Sequence, residues 1–566
     1  MKRTWGVLLG AAMAAMSSGG RGEEARSGVS PSVAAIAVPS KSSSAVDGRL
    51  SPAIQAVRHR IAKAASPAKL SNRLVRVNDA GEVQVYVRAR NGLKAALTQM
   101  VSCGLRLEVV NAKMNLVQGW IALDAIEKLA GQPSVVSITP PSYPRLRAGS
   151  VMTEGDQILG ADVVRQFGVD GAGIKVGVLS NGVDNRAVAQ ASGDLPNVFE
   201  IDPDHPGSGD AGTALLEIIY DIAPRADLAF SGPRTSLEFI DALGYLVNTV
   251  HCQVIVDDIG FYEEPYFEDG PVALAVAGVV SQVVWVSACG DDARGHYQAV
   301  YEDINPGASG GANDFHAFAP GDPAMRIRIE PATQVSIFLQ WADPFNASGN
   351  DYDLLLYNDA MTTVIASSQA VQNGDDAPLE ALTFTNETPG PMRANVVIAR
   401  ESGDTRTLEL FILDAAQQEY VTSSDSIFGH PAVLGVLSVG AINASEPGHD
   451  AIAPYSSLGL STILFPTLGQ RNTPRLVAID GVSVSGAGAF PTPFYGTSAA
   501  AAHVGGIAAL LWSSTLSFTP LDLRSRIEST TTDLGIAGFD IVFGFGRINA
   551  DKAIPTLRAT HWYLLP

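Results

Sequence analysis

The sequence predicts an α/β protein in which helices flank a parallel β-sheet, with an N-terminal α+β domain before it and a β-sandwich inserted into it. From about residue 150, short apolar strands alternate with helical stretches, which is typical of a parallel sheet covered on both faces. Residues 72–146 instead show strand, helix, strands, helix and strand, the order of a small α+β domain. Residues 293–425 contain short strands separated by turn clusters, as in a β-sandwich.

The α/β pattern rests on six elements, which divide the α/β domain into residues 150–292 and 426–566. Its clearest buried strand is IKVGVL, entered through two glycines. The predicted strands are 174–179, 253–258, 283–288 and 433–442, and the predicted helices are 211–222 and 271–281.

Composition and charge exclude some classes of function. The chain has 566 residues, of which 46% are apolar and 17% charged, as in a globular protein with a large core. A formal net charge of -20 argues against nucleic acid as a partner, because phosphates need basic patches. Cys103, Cys252 and Cys289 match no zinc spacing, so we expect buried thiols.

Residues 1–20 have the features of a signal peptide. Lys2 and Arg3 precede an apolar run that ends at Met16, and small residues follow. The run is too short to span a bilayer, so we expect a secreted or cell-surface protein without a membrane span after cleavage. An uncleaved membrane anchor is the alternative. Residues 21–71, rich in Ser, Ala and Pro, are predicted to be a linker.

The most informative motif surrounds Ser498. A serine at a tight turn before a helix presents its hydroxyl at the positive end of the helix dipole, where an oxyanion is stabilised. An N-cap on a buried Ala-rich helix is the alternative. Residues 496–510 (GTSAAAAHVGGIAAL) resemble the catalytic-serine segment of subtilisin-like serine peptidases, the subtilase and sedolisin superfamily. Ala502 replaces the proline that this family usually has before His503.

The resemblance extends over most of residues 150–566. Residues 174–184 resemble the strand with the acid of the catalytic triad, residues 209–226 the segment around the triad histidine, and residues 286–291 the oxyanion segment. It implies a subtilisin-like fold and an exported serine endopeptidase that attacks peptide or protein substrates through Ser498. It also implies that no cofactor is required, that calcium is possible, and that the N-terminal domain is a propeptide-like intramolecular partner.

The same alignment leaves two triad roles vacant. Ala211 stands at the histidine position, and Ser180 or Asn181 stands at the acid position. Loss of the triad histidine costs roughly a million-fold in turnover. Two hypotheses therefore remain: a serine endopeptidase with an unrecognised base, or an inactive pseudoprotease that binds peptide or cell-envelope material.

Four residues are candidates to replace the missing groups. Glu217 and Asp221 have the i, i+4 spacing of the sedolisin acid pair, although a helix-stabilising acidic pair is the alternative. His205 lies in a Gly/Pro-rich loop, and Asp184 lies one turn beyond the acid position.

Three further acidic features carry hypotheses. Asp291 stands at the oxyanion position and assists only when protonated, so activity that uses it should rise as the pH falls. Asp257 and Asp258, at a strand end, either line the cleft or cap a turn. In the insert, Asp351 and Asp353 form either a calcium site or an ordinary acidic turn.

Overall fold

A seven-stranded sheet, parallel throughout, forms the centre of the computed structural model. The structure describes residues 49–60, 74–78, 80–90, 93–142, 145–146, 153–304 and 314–554. The predicted signal peptide and most of the predicted linker lie outside these residues. Across the sheet, the order is β24 (Leu476–Asp480), β21 (Val436–Asn443), β11 (Val284–Ala288), β9 (Val254–Asp257), β6 (Lys175–Leu179), β8 (Asp227–Gly232) and β7 (Glu200–Pro206).

Helices cover both faces of this sheet, which confirms the predicted fold class. Val254 and Val256 of β9 belong to one buried cluster, while Ile255 between them belongs to another. The first cluster includes α7 (Ala211–Ile222) and α10 (Thr497–Ser514), and the second includes α8 (Ser236–Gly244) and α9 (Pro271–Ala277). The remaining helices of this part are α4 (Gly155–Ile158), α5 (Ala161–Arg165), α6 (Arg186–Ser192), α11 (Pro520–Ser529) and α12 (Ala550–Ala553).

The N-terminal part is a four-stranded antiparallel sheet with helices. Its strands, in spatial order, are β2 (Arg106–Asn111), β3 (Leu116–Ala122), β1 (Glu82–Ala89) and β4 (Val135–Thr139), and its helices are α1 (Pro52–Arg60), α2 (Leu93–Ser102) and α3 (Ile126–Ala130). The linker prediction is wrong for α1, because Ile54 and Val57 of this helix are buried in the core of the N-terminal part. Sequence patterning also missed β3, which lacks a regular alternation.

The insert is a sandwich of two antiparallel sheets. The first has the order β12 (His296–Val300), β19 (Thr407–Leu413), β14 (Gln334–Trp341) and β17 (Leu379–Thr385). The second has the order β16 (Val364–Ser368), β15 (Asp351–Asn358), β18 (Met392–Ser402), β13 (Met325–Ile329) and β20 (Gln417–Gln418). Trp341 and Tyr352 are fully buried between the two sheets.

Two small pairings complete the described strands. β22 (Ser461–Ile463) and β23 (Gly469–Arg471) form a hairpin. β5 (Arg145–Leu146), in the connection after the N-terminal part, pairs antiparallel with β10 (Ile259–Gly260), which follows β9.

A shared apolar core joins the three parts. The buried residues of the N-terminal part form one cluster with aromatic residues of the α/β part and of the sandwich, namely Tyr262, Tyr266, Phe267, Phe338, Phe411 and Phe428. Cys103, Cys252 and Cys289 are free and buried, as predicted. Within the described residues, none of the helices combines the length and the apolar character needed to cross a bilayer.

Candidate active site

Three backbone hydrogen bonds hold the segment that contains Ser498. The N–H of Gly496 donates to Asp480 Oδ2 at 2.8 Å, and the N–H of Thr497 donates to Asp291 Oδ1 at 3.0 Å. The N–H of Gly290 donates to Thr497 Oγ1 at 3.2 Å. Because Asp480 ends β24 and Gly290 follows β11, Ser498 lies at the carboxyl edge of the parallel sheet, where sites of α/β proteins are found.

The small residues after Ser498 let α10 lie close against the sheet. A Cβ added at Gly505 would come within 2.2 Å of Val256 Cγ2, and one at Gly506 within 2.7 Å of Ile222 Cβ. Ser498 itself is fully buried at the second residue of α10. Gly496, with a φ of 117°, takes a backbone conformation that favours glycine. The small residues of the sequence GTSAAAAHVGG are therefore those that close packing of α10 on the sheet requires.

The positions aligned with the triad acid and histidine are in direct contact. Asn181 follows β6 and Ala211 begins α7, and the N–H of Ala211 donates to Asn181 Oδ1 at 3.0 Å. Ser180, the other candidate for the acid position, is fully buried. The structure thus brings together the two positions that the resemblance pairs, but they carry an amide and a methyl group. Neither accepts a proton from a serine hydroxyl at ordinary pH.

Asp291 lies beside the N-terminus of α10. Burial raises its pKa to about 8, and the nearby charges of Asp292 and Asp480 add to this rise, while hydrogen bonds from Thr497 oppose it. The carboxyl group is therefore largely protonated at neutral and acidic pH. A protonated carboxyl can donate to an oxyanion, whereas an ionised one repels it.

Sequence reasoning missed Asp480. Its Oδ2 accepts hydrogen bonds from Gly496 N–H and from the hydroxyl of Tyr455, and burial raises its pKa to about 6. The side chain ties the end of β24 to the turn that presents Ser498. A carboxylate at the end of an apolar strand, within the segment that resembles the approach to the serine, was the signal that could have revealed it.

The proposed sedolisin-like pair does not converge on Ser498. Both oxygens of Glu217 accept from Ser485, one from its N–H and one from its Oγ, each at 2.6 Å. Burial raises the pKa of Glu217 to about 7. Asp221 is exposed on α7. Glu217 therefore supports the loop before the serine motif, because the helix register points it there rather than toward Ser498.

The other proposed substitutes also lie elsewhere. Asp184 Oδ2 accepts from Ser208 Oγ at 3.1 Å and from Gly209 N–H at 2.8 Å, so it holds the loop before α7. His205 lies on β7, the outer strand of the sheet, whereas α10 packs on β24, β21, β11, β9 and β6. The strand β8 separates His205 from that region.

Two buried histidines have structural environments. His503 Nδ1 lies 2.7 Å from the carbonyl oxygen of Ala499, and burial lowers the His503 pKa to about 4. His430 Nε2 lies 2.8 Å from Asp257 Oδ1, which also accepts from Ser287 Oγ at 2.9 Å. Asp257 is fully buried, so the hypothesis that it lines the cleft is wrong.

The N-terminal sheet docks on the start of α8. The hydroxyls of Tyr86 and Ser236 lie 3.0 Å apart, and the N–H of Leu237 donates to Tyr86 Oη at 3.1 Å. Thr235 Oγ1 donates to Gln118 Oε1 at 2.9 Å. These contacts are buried, and with the β5–β10 pairing they join the N-terminal part to the edge of the sheet beside the serine motif.

The donor set in the insert does not fit calcium. Asp353 is fully buried and accepts from Gln369 Nε2 at 3.0 Å, and Asp351 pairs through its backbone with Ser402. Across the part of the chain that the structure describes, no three His, Cys, Asp or Glu side chains are grouped as metal ligands. A hard-oxygen site needs six to eight converging oxygens.

Comparison with known proteins gives partial matches. The model of the subtilase family matches residues 355–546, which include Ser498 and Asp480. An extracellular serine protease of Serratia marcescens is 46% identical over 59 residues, which are 10% of this chain and 6% of that protein. Subtilisin NAT of Bacillus subtilis subsp. natto is 32% identical over 146 residues, 25% of this chain and 33% of the relative. The chain therefore spans a third or less of the length of these two relatives.

Two solved structures resemble the fold. The CspB protease of Clostridium perfringens has a TM-score of 0.48 and 13% identity, covering 71% of this chain and 98% of that one. MycP1 with its N-terminal propeptide removed has a TM-score of 0.36 and 17% identity, covering 70% and 95%.

The sequence matches agree with the position of Ser498 at the start of a buried helix, on the carboxyl edge of a parallel sheet. The chain is therefore similar to subtilisin-like peptidases, and its residues 355–546 match the subtilase family.

Proposed function

We propose that this chain is an inactive subtilisin-like protein that binds extended peptide without cleaving it. The observation that carries this proposal is the hydrogen bond from Ala211 N–H to Asn181 Oδ1, at the two positions where the family places its histidine and acid. A serine hydroxyl becomes a useful nucleophile only when an adjacent base removes its proton. With a methyl group at the place of that base, turnover falls to the residual level of about 10³–10⁴ over water that binding and oxyanion contacts supply.

Peptide is the ligand class that we infer, because β10 pairs with an extended segment, β5, of the same chain. Ile259 and Gly260 pair antiparallel with Leu146 and Arg145 of the same chain. A segment that pairs in this way binds main chain through backbone hydrogen bonds, and side-chain pockets add preference. The family also supports a peptide or protein partner. Export follows from the apolar N-terminal run, and the extracellular Serratia relative supports it.

The test measures cleavage and binding on the same preparation. The full chain is incubated with an unfolded fluorescent protein substrate from pH 3 to 9, beside Ser498→Ala. We expect no cleavage above background in either chain, and equal binding of an extended peptide to both. Cleavage that disappears in Ser498→Ala would refute the inactive assignment.

An acid-acting serine endopeptidase is the second candidate, and Asp291 favours it. With its pKa raised to about 8, this carboxyl carries the proton that an oxyanion donor needs below that pH. Cleavage by the wild type should then increase as the pH falls through 8. Asp291→Asn donates at every pH, so that variant should lose this dependence.

A further inference from the structure

One face of the N-terminal sheet contains an arginine, Arg88, whose side chain has no polar partner among the described residues. Along β1, Val83, Val85 and Val87 are buried on one face, while Gln84, Tyr86 and Arg88 point to the other. Gln84 Nε2 donates to Glu108 at 2.7 Å, and the Tyr86 hydroxyl contacts Ser236. The guanidinium of Arg88, the next residue on that face, makes no hydrogen bond or ion pair with any residue that the structure describes.

Arg88 is partly buried, and no described side chain forms an ion pair with it. Burial lowers the pKa of its guanidinium, and no neighbouring carboxylate opposes that effect. An ionised group withdrawn from water without a counter-ion costs free energy, and proteins therefore rarely retain one without a function. A guanidinium cannot relieve this cost by losing its proton, since its pKa stays far above physiological pH. The missing partner is therefore an anion.

A cavity of about 250 Å³ lies in front of Arg88, where the three parts of the chain meet. Leu116, Arg88 and Ser137 form one row of its wall, because Arg88 is paired with both neighbours across the sheet. The α/β part contributes Pro265 and Pro271. The sandwich adds apolar side chains, namely Phe345, Val371 and Leu379.

Acidic residues of the other walls have their own partners. Ser142 Oγ donates to Glu263 at 3.0 Å, Val272 N–H donates to Glu264 at 3.4 Å, and Asn373 N–H donates to Asp376 at 3.3 Å. Asp375 also lines the cavity. Arg49 also lines the cavity, but its guanidinium donates to the carbonyl oxygens of Ala130 and Gln132. The acids disfavour a multiply charged ligand such as a phosphate, whereas the guanidinium of Arg88 matches one carboxylate in two parallel hydrogen bonds.

We propose that this cavity binds an apolar group that ends in a carboxylate, with Arg88 pairing the carboxylate and the apolar walls enclosing the rest. The chemistry is shared by a free fatty acid and by the C-terminus of an apolar peptide. Ser498 does not line this cavity, so binding here is independent of whether Ser498 is active.

The experiment uses isothermal titration of the full chain with three probes. These are decanoate, N-acetyl-trileucine with a free carboxylate, and the same peptide with a C-terminal amide. The variants are Arg88→Gln and the matched control Arg90→Gln, since Arg90 is exposed at the end of the same strand and does not line the cavity. Thermal unfolding of each ligand-free variant is recorded alongside.

We expect a carboxylate probe to bind the wild type and Arg90→Gln equally, and to bind Arg88→Gln about tenfold to a hundredfold more weakly, as for loss of a charged hydrogen bond. Decanoate binding would identify a fatty acid as the source, and binding of the free but not the amidated peptide would identify a peptide terminus. Ligand-free Arg88→Gln should unfold at a higher temperature than the wild type, because a partly buried charge without a described ion-pair partner is removed.

Three results would overturn the proposal. They are the absence of binding by both carboxylate probes, equal binding to Arg88→Gln and the wild type, and equal binding of the free and amidated peptides. A lower unfolding temperature of ligand-free Arg88→Gln would also overturn it, since Arg88 would then stabilise the fold.

Discussion

The N–H of Ala211 donates a hydrogen bond to Asn181 Oδ1 at 3.0 Å, which joins the first residue of α7 to the end of β6. The contact keeps two family positions adjacent even though their side chains have lost acid–base chemistry. Ser498 lies at the same edge of the sheet, at the start of α10.

Restoring both side chains should restore cleavage. In Asn181→Asp/Ala211→His, the imidazole can take the serine proton and the carboxylate can orient it, so we expect cleavage of an unfolded substrate at least about a hundredfold above the wild type. The matched control is the same pair combined with Ser498→Ala. No gain over that control would mean that the site has also lost the geometry of the family.

Asp480 should stabilise the turn before Ser498. Asp480→Ala removes the acceptor for Gly496 N–H and for the Tyr455 hydroxyl, so we expect a loss of about 1–3 kcal/mol in the free energy of unfolding measured with urea. Asp480→Asn keeps one acceptor oxygen and should lose less. Equal stability of the wild type and Asp480→Ala would contradict the assigned role.

Stability should decrease as the pH rises from about 4 to 8. Burial raises the pKa of Asp291 and of Glu380 to about 8, above the unfolded values near 4. Across this interval, the folded state holds protons that the unfolded state releases, so the stability present at low pH is lost at up to about 1.4 kcal/mol per pH unit for each group.

Glu380→Gln isolates one contribution to this slope. Glu380 is buried in the sandwich, where it accepts from Ser368 Oγ and Ala370 N–H. The amide cannot ionise, so chemical denaturation between pH 4 and 8 should show a smaller loss of stability than in the wild type. An unchanged slope would exclude Glu380 as a contributor.

We expect that a side chain at position 505 lowers the free energy of unfolding, because Gly505 lies where α10 packs on β9. Gly505→Ala places a methyl group 2.2 Å from Val256 Cγ2, and overpacking of this kind costs about 1–3 kcal/mol of folding free energy. Gly244→Ala is the matched control, since it ends α8 with nothing within 4 Å and with helical dihedral angles. That change should be neutral or stabilising by up to about 1 kcal/mol. Thermal or urea unfolding distinguishes the two.

Periodicity located four central strands of the parallel sheet, β6, β9, β11 and β21, because they are buried on both faces, but it missed β7, β8 and β24. β6 and β11 fall within one residue of the predicted ranges, and α7 matches its prediction. β3 was missed because its residues do not alternate regularly, and α1 was missed because its segment is rich in small and polar residues. In both cases, burial by distant residues decides the structure.

By itself, the sequence determined the α/β class and, through the family resemblance, predicted Ser498 at the start of a helix and vacant triad positions at Ala211 and at Ser180 or Asn181. These depend on local pattern and residue identity. Only the tertiary structure decided that Glu217 accepts hydrogen bonds from Ser485, that Asp480 holds the turn, and that Arg88 lines a cavity. Such facts depend on which residues distant in sequence meet, and that is fixed by packing of the whole chain.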